Sequence, residues 1–80
     1  MTTDFAMLAR VRHIIALLAE RPDDEIGPED RLFEDLSLDS LQITELAERL
    51  EQETGAPVDE EQLNAAGTTV ARCAEIVAGA

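Results

Sequence analysis

The stretch DLSLDSL, residues 35–41, leads into a run that contains neither glycine nor proline as far as Glu53. Apolar residues recur in this run at the i, i+3, i+4, i+7 spacing of one helical face, which predicts an amphipathic helix from about Ser40 to Glu53. The predicted buried stripe consists of Ile43, Leu46, Ala47 and Leu50. The opposite stripe consists of Leu41, Glu45, Glu48 and Gln52. One leucine therefore lies on an acidic face directly after Ser40, and we interpret the Ser40 hydroxyl as a group presented to solvent.

A second interpretation of Ser40 is purely structural. Serine is a preferred N-cap, because its side-chain oxygen accepts a hydrogen bond from an unpaired N–H group of the first helical turn. Asp39 could cap the same helix, and a single exposed leucine needs no special explanation. The local residues leave a presented serine and a capping serine open as alternatives.

The size and composition of the chain restrict its class. Eighty residues predict one small domain, here residues 1–80, and with only two phenylalanines its core must be aliphatic. One cysteine, Cys73, and one histidine, His13, exclude an internal disulfide framework and a cysteine-rich zinc site, so we expect no metal and a cytoplasmic location. We expect no signal peptide in residues 1–12 and no membrane span.

The net charge of -12 points to partners with basic patches and argues against nucleic acids or anionic membranes as partners. This charge is unevenly distributed. Residues 1–22 hold three arginines and two acidic residues, for a net charge of +1. Residues 23–80 hold 16 acidic residues and three arginines, for a net charge of -13.

The first predicted helix covers about residues 4–20 and ends before Pro22, because a residue that precedes proline avoids the helical conformation. We expect Arg10, Arg12 and His13 to point away from its apolar stripe. The stripe consists of Met7, Leu8, Val11, Ile14, Ile15 and Leu18.

A long connection from Pro22 to Ser37 follows, rich in the turn formers Asp, Gly and Pro. A loop of this length inside a compact domain is uncommon and is more often functional than not. We predict a short helical turn around Glu29 to Phe33. The residues expected to anchor the loop on the helices are Ile26, Leu32, Phe33 and Leu36.

Two further helices complete the prediction. Gly55 should end the central helix, and Asp59, with Gln62 at the spacing of a capping box, should start a short third one. Thr68 or Thr69 should cap the last helix, whose apolar stripe is Val70, Cys73, Ala74 and Val77. We expect Cys73 to be a buried small hydrophobe. The predicted fold class is all-α: a four-helix bundle with three longer helices, a short third helix and a long first loop.

Catalytic signatures are not found in the sequence. It contains no glycine-rich phosphate loop and no metal-ligand spacing of His and Cys. Ser40 has no plausible triad partner, because the one histidine is predicted on the outer face of the first helix. We therefore expect a protein that does not catalyse a reaction by itself.

The segment LFEDLSLDSL, residues 32–41, resembles the acyl carrier protein family. The resemblance continues through Thr44-Glu45-Leu46, Pro57-Val58-Asp59-Glu60 and Thr68-Thr69-Val70, and the helix lengths match over nearly the whole chain. Asp-Ser-Leu alone is a weak signal, but it becomes specific in a chain of this length and charge with Leu36 four residues before the serine.

The resemblance implies a covalent cofactor. Ser40 would accept phosphopantetheine from coenzyme A through a phosphopantetheinyl transferase, with Asp39 and Leu41 as its neighbours at the attachment site. The thiol of that arm, not Cys73, would hold acyl intermediates as thioesters. The chain would be a monomer that serves partner enzymes such as a ketosynthase or an acyltransferase. The residues that match docking positions are Asp35, Leu41, Thr44, Glu45, Glu48 and Glu51.

Departures from the family pattern guide the choice of pathway. Leu38 stands where many relatives have a small residue. Ser37-Leu38-Asp39 lacks the glycine that usually precedes the serine in peptidyl carriers, which favours an acyl carrier over a peptidyl carrier. Thr44 and Glu48 occupy positions that are often apolar in bacterial fatty-acid synthesis, which favours a natural-product pathway, polyketide or mixed, such as antibiotic biosynthesis. Two alternatives stay open: an aminoacyl or peptidyl carrier of nonribosomal peptide synthesis, and an unmodified acidic interaction module.

Overall fold

The computed structural model describes the backbone of residues 5–79 and the side chains of residues 6–78. These residues form four α-helices and one 3₁₀ turn at Asp23–Glu25, and within them the only β-type pairing is a single bridge between Arg31 and Thr69. The all-α prediction is confirmed. The predicted start of the first helix at residue 4 lies outside the described residues. The helices are α1 (Phe5–Ala19), α2 (Ser40–Thr54), α3 (Glu60–Leu63) and α4 (Val70–Gly79).

The core lies where the apolar stripes of α1, α2 and α4 meet. Helix α1 packs against both α2 and α4, and the short α3 also packs against α2 and α4. The predicted stripes of α2 and α4 are buried in full, and Ile76 of α4 is buried with them. Burial of aliphatic side chains contributes about 1.5–3 kcal/mol for each large residue, so this cluster supplies the main stabilisation of the bundle. Its largest fully buried side chains include Ile15, Ile26, Leu32, Ile43, Leu46, Leu50 and Leu63.

Helix α1 ends in a Schellman motif, a closure in which two backbone N–H groups bond back to the last turn. Glu20 N donates to Leu17 O at 3.4 Å, and Arg21 N donates to Ala16 O at 3.0 Å. Glu20 adopts a left-handed conformation with φ 58° to make this closure. The helix therefore ends at Ala19, and three residues separate it from the 3₁₀ turn.

The prediction that Arg12 points away from the core is wrong. Arg12 is half-buried, and its Nε is shielded from solvent without a hydrogen-bond partner among the described residues. The methylene groups of an arginine side chain can pack on apolar surface while its charged end remains in contact with water. This explains why Arg12 is half-buried beside the core. His13 is exposed as predicted, and its Nδ1 lies 2.9 Å from Asp23 Oδ2.

The long connection is held by buried anchors and by backbone pairing with the start of α4. Leu32 N donates to Thr68 O, Val70 N donates to Asp30 O and Ala71 N donates to Pro28 O, each at 2.9 Å. Two orphan N–H groups of α4 are satisfied in this way by loop carbonyls. The predicted anchors Ile26, Leu32 and Leu36 are buried, and Phe33 is half-buried against the core.

The helical turn predicted around Glu29 to Phe33 is displaced in the structure: no helix forms over these residues, and a single turn closes between Arg31 and Asp35. Asp30 O accepts from Val70 N and Leu32 N donates to Thr68 O, so these two groups of the segment pair with the start of α4. Asp35 N and Leu36 N instead donate to Arg31 O, each at 3.1 Å, and close a single turn. The one short helix of the loop lies earlier, at Asp23–Glu25, directly after Pro22 with φ -64°. Proline fixes this φ near the helical value, which favours the turn at that place.

The remaining caps mostly follow the sequence prediction. Asp59 caps α3 by accepting hydrogen bonds from Glu61 N and Gln62 N, although the Gln62 amide bonds the Asp59 carboxylate and not its backbone. Thr69, not Thr68, caps α4: its Oγ1 accepts from Arg72 N at 3.1 Å. Gly55 ends α2 with φ 72°, a left-handed value that glycine adopts at little cost.

No helix among the described residues has the length and apolar character needed to cross a membrane.

Candidate functional site

Asp39 caps the start of α2 through a complete capping box. Asp39 Oδ1 accepts a hydrogen bond from Gln42 N at 2.8 Å, and Gln42 Oε1 accepts one from Asp39 N at 2.9 Å. These two bonds satisfy two N–H groups that the helix itself cannot satisfy. The cap of α2 is therefore Asp39, and the alternative interpretation of Ser40 as the capping residue is wrong.

Ser40 is the first residue of α2, and its side chain is exposed. Its hydroxyl has no hydrogen-bond partner within the described residues; only its carbonyl is engaged, accepting from Thr44 Oγ1 at 3.1 Å. Leu38, two residues earlier, is 4% exposed and anchors the approach to the helix. Leu41, the next residue, is 80% exposed. The chain thus presents a free hydroxyl beside an exposed leucine.

The segment before the site makes a tight reversal. Ser37 has φ 58°, a left-handed value in a residue other than glycine. Leu38 N then donates to Leu32 O at 3.0 Å, which ties the segment to the loop anchor. Ser37 opens the stretch Ser37-Leu38-Asp39, which contains no glycine. The left-handed turn is therefore formed without glycine.

The local electrostatics combine a helix N-terminus with nearby carboxylates. The N-terminal end of a helix carries partial positive charge and favours a bound phosphate. Asp35, one of the predicted docking residues, accepts hydrogen bonds from Arg31 Nε at 3.0 Å and from Arg31 N at 2.8 Å. These hydrogen bonds lower the pKa of the Asp35 carboxyl below its usual value. Asp35 is therefore ionised and is already engaged by its own chain.

Four of the six predicted docking residues come together on one surface, which we call the acidic face of α2. Within this face, Glu45 Oε2 lies 3.1 Å from Arg49 Nη2, and Glu48 is exposed. Thr44 Oγ1 lies 2.9 Å from Glu60 Oε2, so the face continues to the start of α3. The four residues are Leu41, Thr44, Glu45 and Glu48, and they line one surface groove with Arg49 and Gln52.

Glu51 lies apart from this face. It is half-buried, and its Oε2 accepts a hydrogen bond from Val58 N at 2.9 Å. This bond joins the end of α2 to the segment that leads into α3. The role of Glu51 in the structure is to hold that connection, which the sequence prediction missed because Val58 lies seven residues away across the helix end.

The thiol of Cys73 is buried in the core, as predicted. Burial raises the pKa of Cys73 to about 12, because the charged thiolate is poorly solvated there. A thiol needs its thiolate form to act as a nucleophile, so Cys73 is inert at neutral pH.

Gln42 is the functional candidate that the sequence prediction did not single out. Its side chain completes the capping box, and the spacing of Asp39 and Gln42 in the sequence carries the signal for that box. The other contact of Gln42, with α1, is non-local and has no signal in the sequence.

The sequence matches a known protein family over most of its length. Residues 9–77 match the model of the family described as phosphopantetheine attachment site, and the chain belongs to that family. Phosphopantetheine, attached covalently, is the cofactor of this class of carrier protein.

The chain is also similar to an individual protein of known name. The chain is similar to a protein named acyl carrier protein from Saccharopolyspora erythraea, with 39% identity over 54 residues. The match covers 68% of this chain and 57% of the relative, so the chain spans little more than half of the relative's length.

Proposed function

We propose that residues 1–80 form a single acyl carrier domain and that Ser40 Oγ is the attachment atom for phosphopantetheine. The observation that carries this proposal is the division of roles at the start of α2. Asp39 caps the helix by accepting a hydrogen bond from Gln42 N, and the neighbouring Ser40 hydroxyl is exposed and has no hydrogen-bond partner among the described residues. A serine that is not needed for capping is available for modification.

The residues present fit a phosphodiester at this position. In the proposed modification the Ser40 oxygen forms a bond to the phosphorus next to pantetheine, the P–O–P linkage of coenzyme A breaks, and adenosine bisphosphate leaves. The hydroxyl proton passes to a base of the transferase. The N-terminus of α2 stabilises the negative charge of the new phosphodiester. Leu38 is buried directly before the site and holds the attachment point on the body of the protein.

The attached group would supply a terminal thiol that holds the cargo as a thioester. The chain itself provides a fixed anchor and a recognition surface. Tethering replaces a diffusional encounter by a local one, at an effective concentration set by the length of the tether. Because Cys73 is buried, the chain offers no competing thiol of its own.

The acidic face of α2 supports docking to enzymes with basic patches. We propose a phosphopantetheinyl transferase, a ketosynthase and an acyltransferase as partners of this kind. Exposed charges give fast, salt-sensitive association, and Leu41 adds an apolar contact next to Ser40. Asp35 and Glu51 stay predicted docking residues, and each carboxylate already accepts a hydrogen bond from the chain.

The proposed cargo is an acyl intermediate of polyketide or fatty-acid-type biosynthesis. Support comes from the sequence before Ser40, which lacks the glycine of peptidyl carriers, and from the similarity to a protein named acyl carrier protein. Loading by an acyltransferase, with no loading by amino-acid adenylating enzymes, would support this assignment. The reverse result would make the protein an aminoacyl or peptidyl carrier.

The attachment itself is tested by intact mass after incubation with coenzyme A and a broad-specificity phosphopantetheinyl transferase. We expect the wild-type protein to gain the mass of one arm and Ser40→Ala to gain none. Ser37→Ala is the matched control, because Ser37 is the other serine of the chain, and it should be modified like the wild type. A mass gain in Ser40→Ala, or none in the wild type, would refute the proposal.

Stability provides an independent check on the same variant. Because Asp39 caps the helix, Ser40→Ala should change the free energy of unfolding by less than about 0.5 kcal/mol, as for an ordinary surface substitution. A capping serine would lose about 1 kcal/mol. Urea denaturation distinguishes the two results.

A further inference from the structure

Both ends of the Gln42 side-chain amide are bonded, each to a different part of the molecule. The oxygen, Oε1, accepts from Asp39 N at 2.9 Å and completes the local cap of α2. The nitrogen, Nε2, donates to Leu18 O in the last turn of α1 at 3.1 Å, across a sequence separation of 24 residues. One side chain therefore joins the start of α2 to the end of α1.

The carbonyl that Gln42 reaches is one that α1 cannot satisfy. In a continuing helix, Leu18 O would accept from the N–H of the residue four positions later, but that residue is Pro22, which has no N–H. The Schellman closure at Glu20 and Arg21 uses the carbonyls of Leu17 and Ala16 and leaves Leu18 O free. The Nε2–H group of Gln42 supplies the hydrogen bond that Leu18 O would otherwise lack. The contact therefore pairs a side-chain donor with an acceptor that its own helix leaves unused.

We propose that Gln42 is a positioning residue for the modification of Ser40. By bonding Leu18 O it fixes the direction of the first turn of α2 relative to α1, and therefore the direction in which the Ser40 hydroxyl is presented. This inference rests on the proposed function, because it assigns a role at the same attachment site. A residue that only completed the cap of α2 would use Oε1 and would not need the Nε2 contact with Leu18 O.

The substitution Gln42→Glu separates the two contacts. A glutamate keeps the acceptor for Asp39 N, since Glu and Gln both complete capping boxes. It has no donor for Leu18 O and instead brings a negative oxygen against a carbonyl oxygen. Gln42→Ala removes both contacts.

Two control variants test whether an added negative charge, or a loss of stability, could by itself lower the rate of modification. Gln62→Glu makes the same chemical change at the third residue of α3, which also follows an aspartate cap, Asp59. Ile76→Val removes one methylene from the core of α4 and should lower stability without touching the start of α2.

The experiment measures kcat and KM of the phosphopantetheinyl transferase with each full-length variant, next to urea denaturation. We expect Gln42→Glu to lower kcat about five- to tenfold, the effect of one lost hydrogen bond on the oriented complex, with KM nearly unchanged. Gln62→Glu and Ile76→Val should retain the wild-type kcat.

A second readout needs no transferase. The carbonyl carbon shift of Leu18, measured by NMR, should change in both Gln42 variants. Hydrogen exchange at the Asp39 amide should be fast in Gln42→Ala and slow in Gln42→Glu, because only the alanine variant loses the acceptor.

The results separate failure of this inference from failure of the proposed function. If the wild type is modified and Gln42→Glu is modified with the same kcat, or if Ile76→Val is slowed equally, Gln42 does not position Ser40. An unchanged Leu18 carbonyl shift would contradict the contact itself. If the wild type is not modified at all, the proposed function fails, and the positioning role falls with it.

Discussion

Glu20 and Ser37 adopt left-handed backbone conformations, each with φ 58°, although neither is glycine. Side chains with a Cβ are disfavoured in this region by about 1–2 kcal/mol. Glu20 makes the closure of α1, and Ser37 makes the reversal before Asp39 and Ser40. One of these two residues therefore follows the end of α1 directly, and the other lies three residues before Ser40.

Replacing Glu20 by glycine should stabilise the protein. Glycine removes the Cβ penalty but gains freedom in the unfolded chain, so we expect a net increase of about 0.5–1 kcal/mol in the free energy of unfolding. Urea denaturation measures the change. Glu20→Ala, which keeps the Cβ, is the control and should show no such increase. An equal gain in both variants would mean that loss of the negative charge, and not relief of strain, is the cause.

Individual side chains differ in how well the sequence predicts them. Exposure of Leu41 and burial of Cys73 follow from helical periodicity alone. The assignment of the cap to Asp39 over Ser40 does not, because both residue types cap helices well and the choice depends on φ and ψ. The half-buried Arg12 was mispredicted because periodicity treats a long charged side chain as wholly polar.

Helix α2 shows what sequence periodicity can determine about an element. Its bounds agree with the prediction within one residue at its C-terminus, and its predicted stripe is buried in full. The long connection from Pro22 to Ser37 shows what periodicity cannot predict. Its segment near Glu29 to Phe33 pairs with residues 68–71, a partner far away in the chain that no local pattern reveals. Local elements are therefore predictable here, and the pairing between them is not.

The acidic face of α2 carries a prediction about docking. Glu48→Arg reverses one exposed charge in the middle of this face and should raise the KM for the phosphopantetheinyl transferase about three- to tenfold at low salt, with kcat little changed. The effect should shrink as added salt screens the charges.

Glu29→Arg is the matched control for that measurement. It makes the same change in net charge at an exposed position in the loop segment beside α4. We expect its KM to stay close to that of the wild type. Equal increases in the two variants would show that the transferase senses only total charge and does not use the acidic face of α2.

The charge of the entire chain acts against its compact state. With a net charge of -12, and with most of it carried by residues 23–80, exposed carboxylates repel one another. The ion pairs of Arg31, Arg49 and Arg72 are exposed and offset little of this repulsion.

We therefore expect the melting temperature to rise with ionic strength. A stabilisation of about 1 kcal/mol would raise Tm by roughly 4–8 °C in a domain of this size. Calorimetry at low and at physiological salt measures the effect, and Glu48→Arg, with a smaller net charge, should respond less. An equal Tm at both salt concentrations would contradict the role given to self-repulsion.

The burial of Cys73 has a practical consequence for chemical labelling. The chain contains one cysteine, and its pKa of about 12 keeps it protonated in the native state at neutral pH. A maleimide dye added to the native, unmodified protein would find no reactive sulfhydryl. After enzymatic modification, dye uptake would count pantetheine arms directly, and unfolding in denaturant would then reveal the second sulfur as an internal standard.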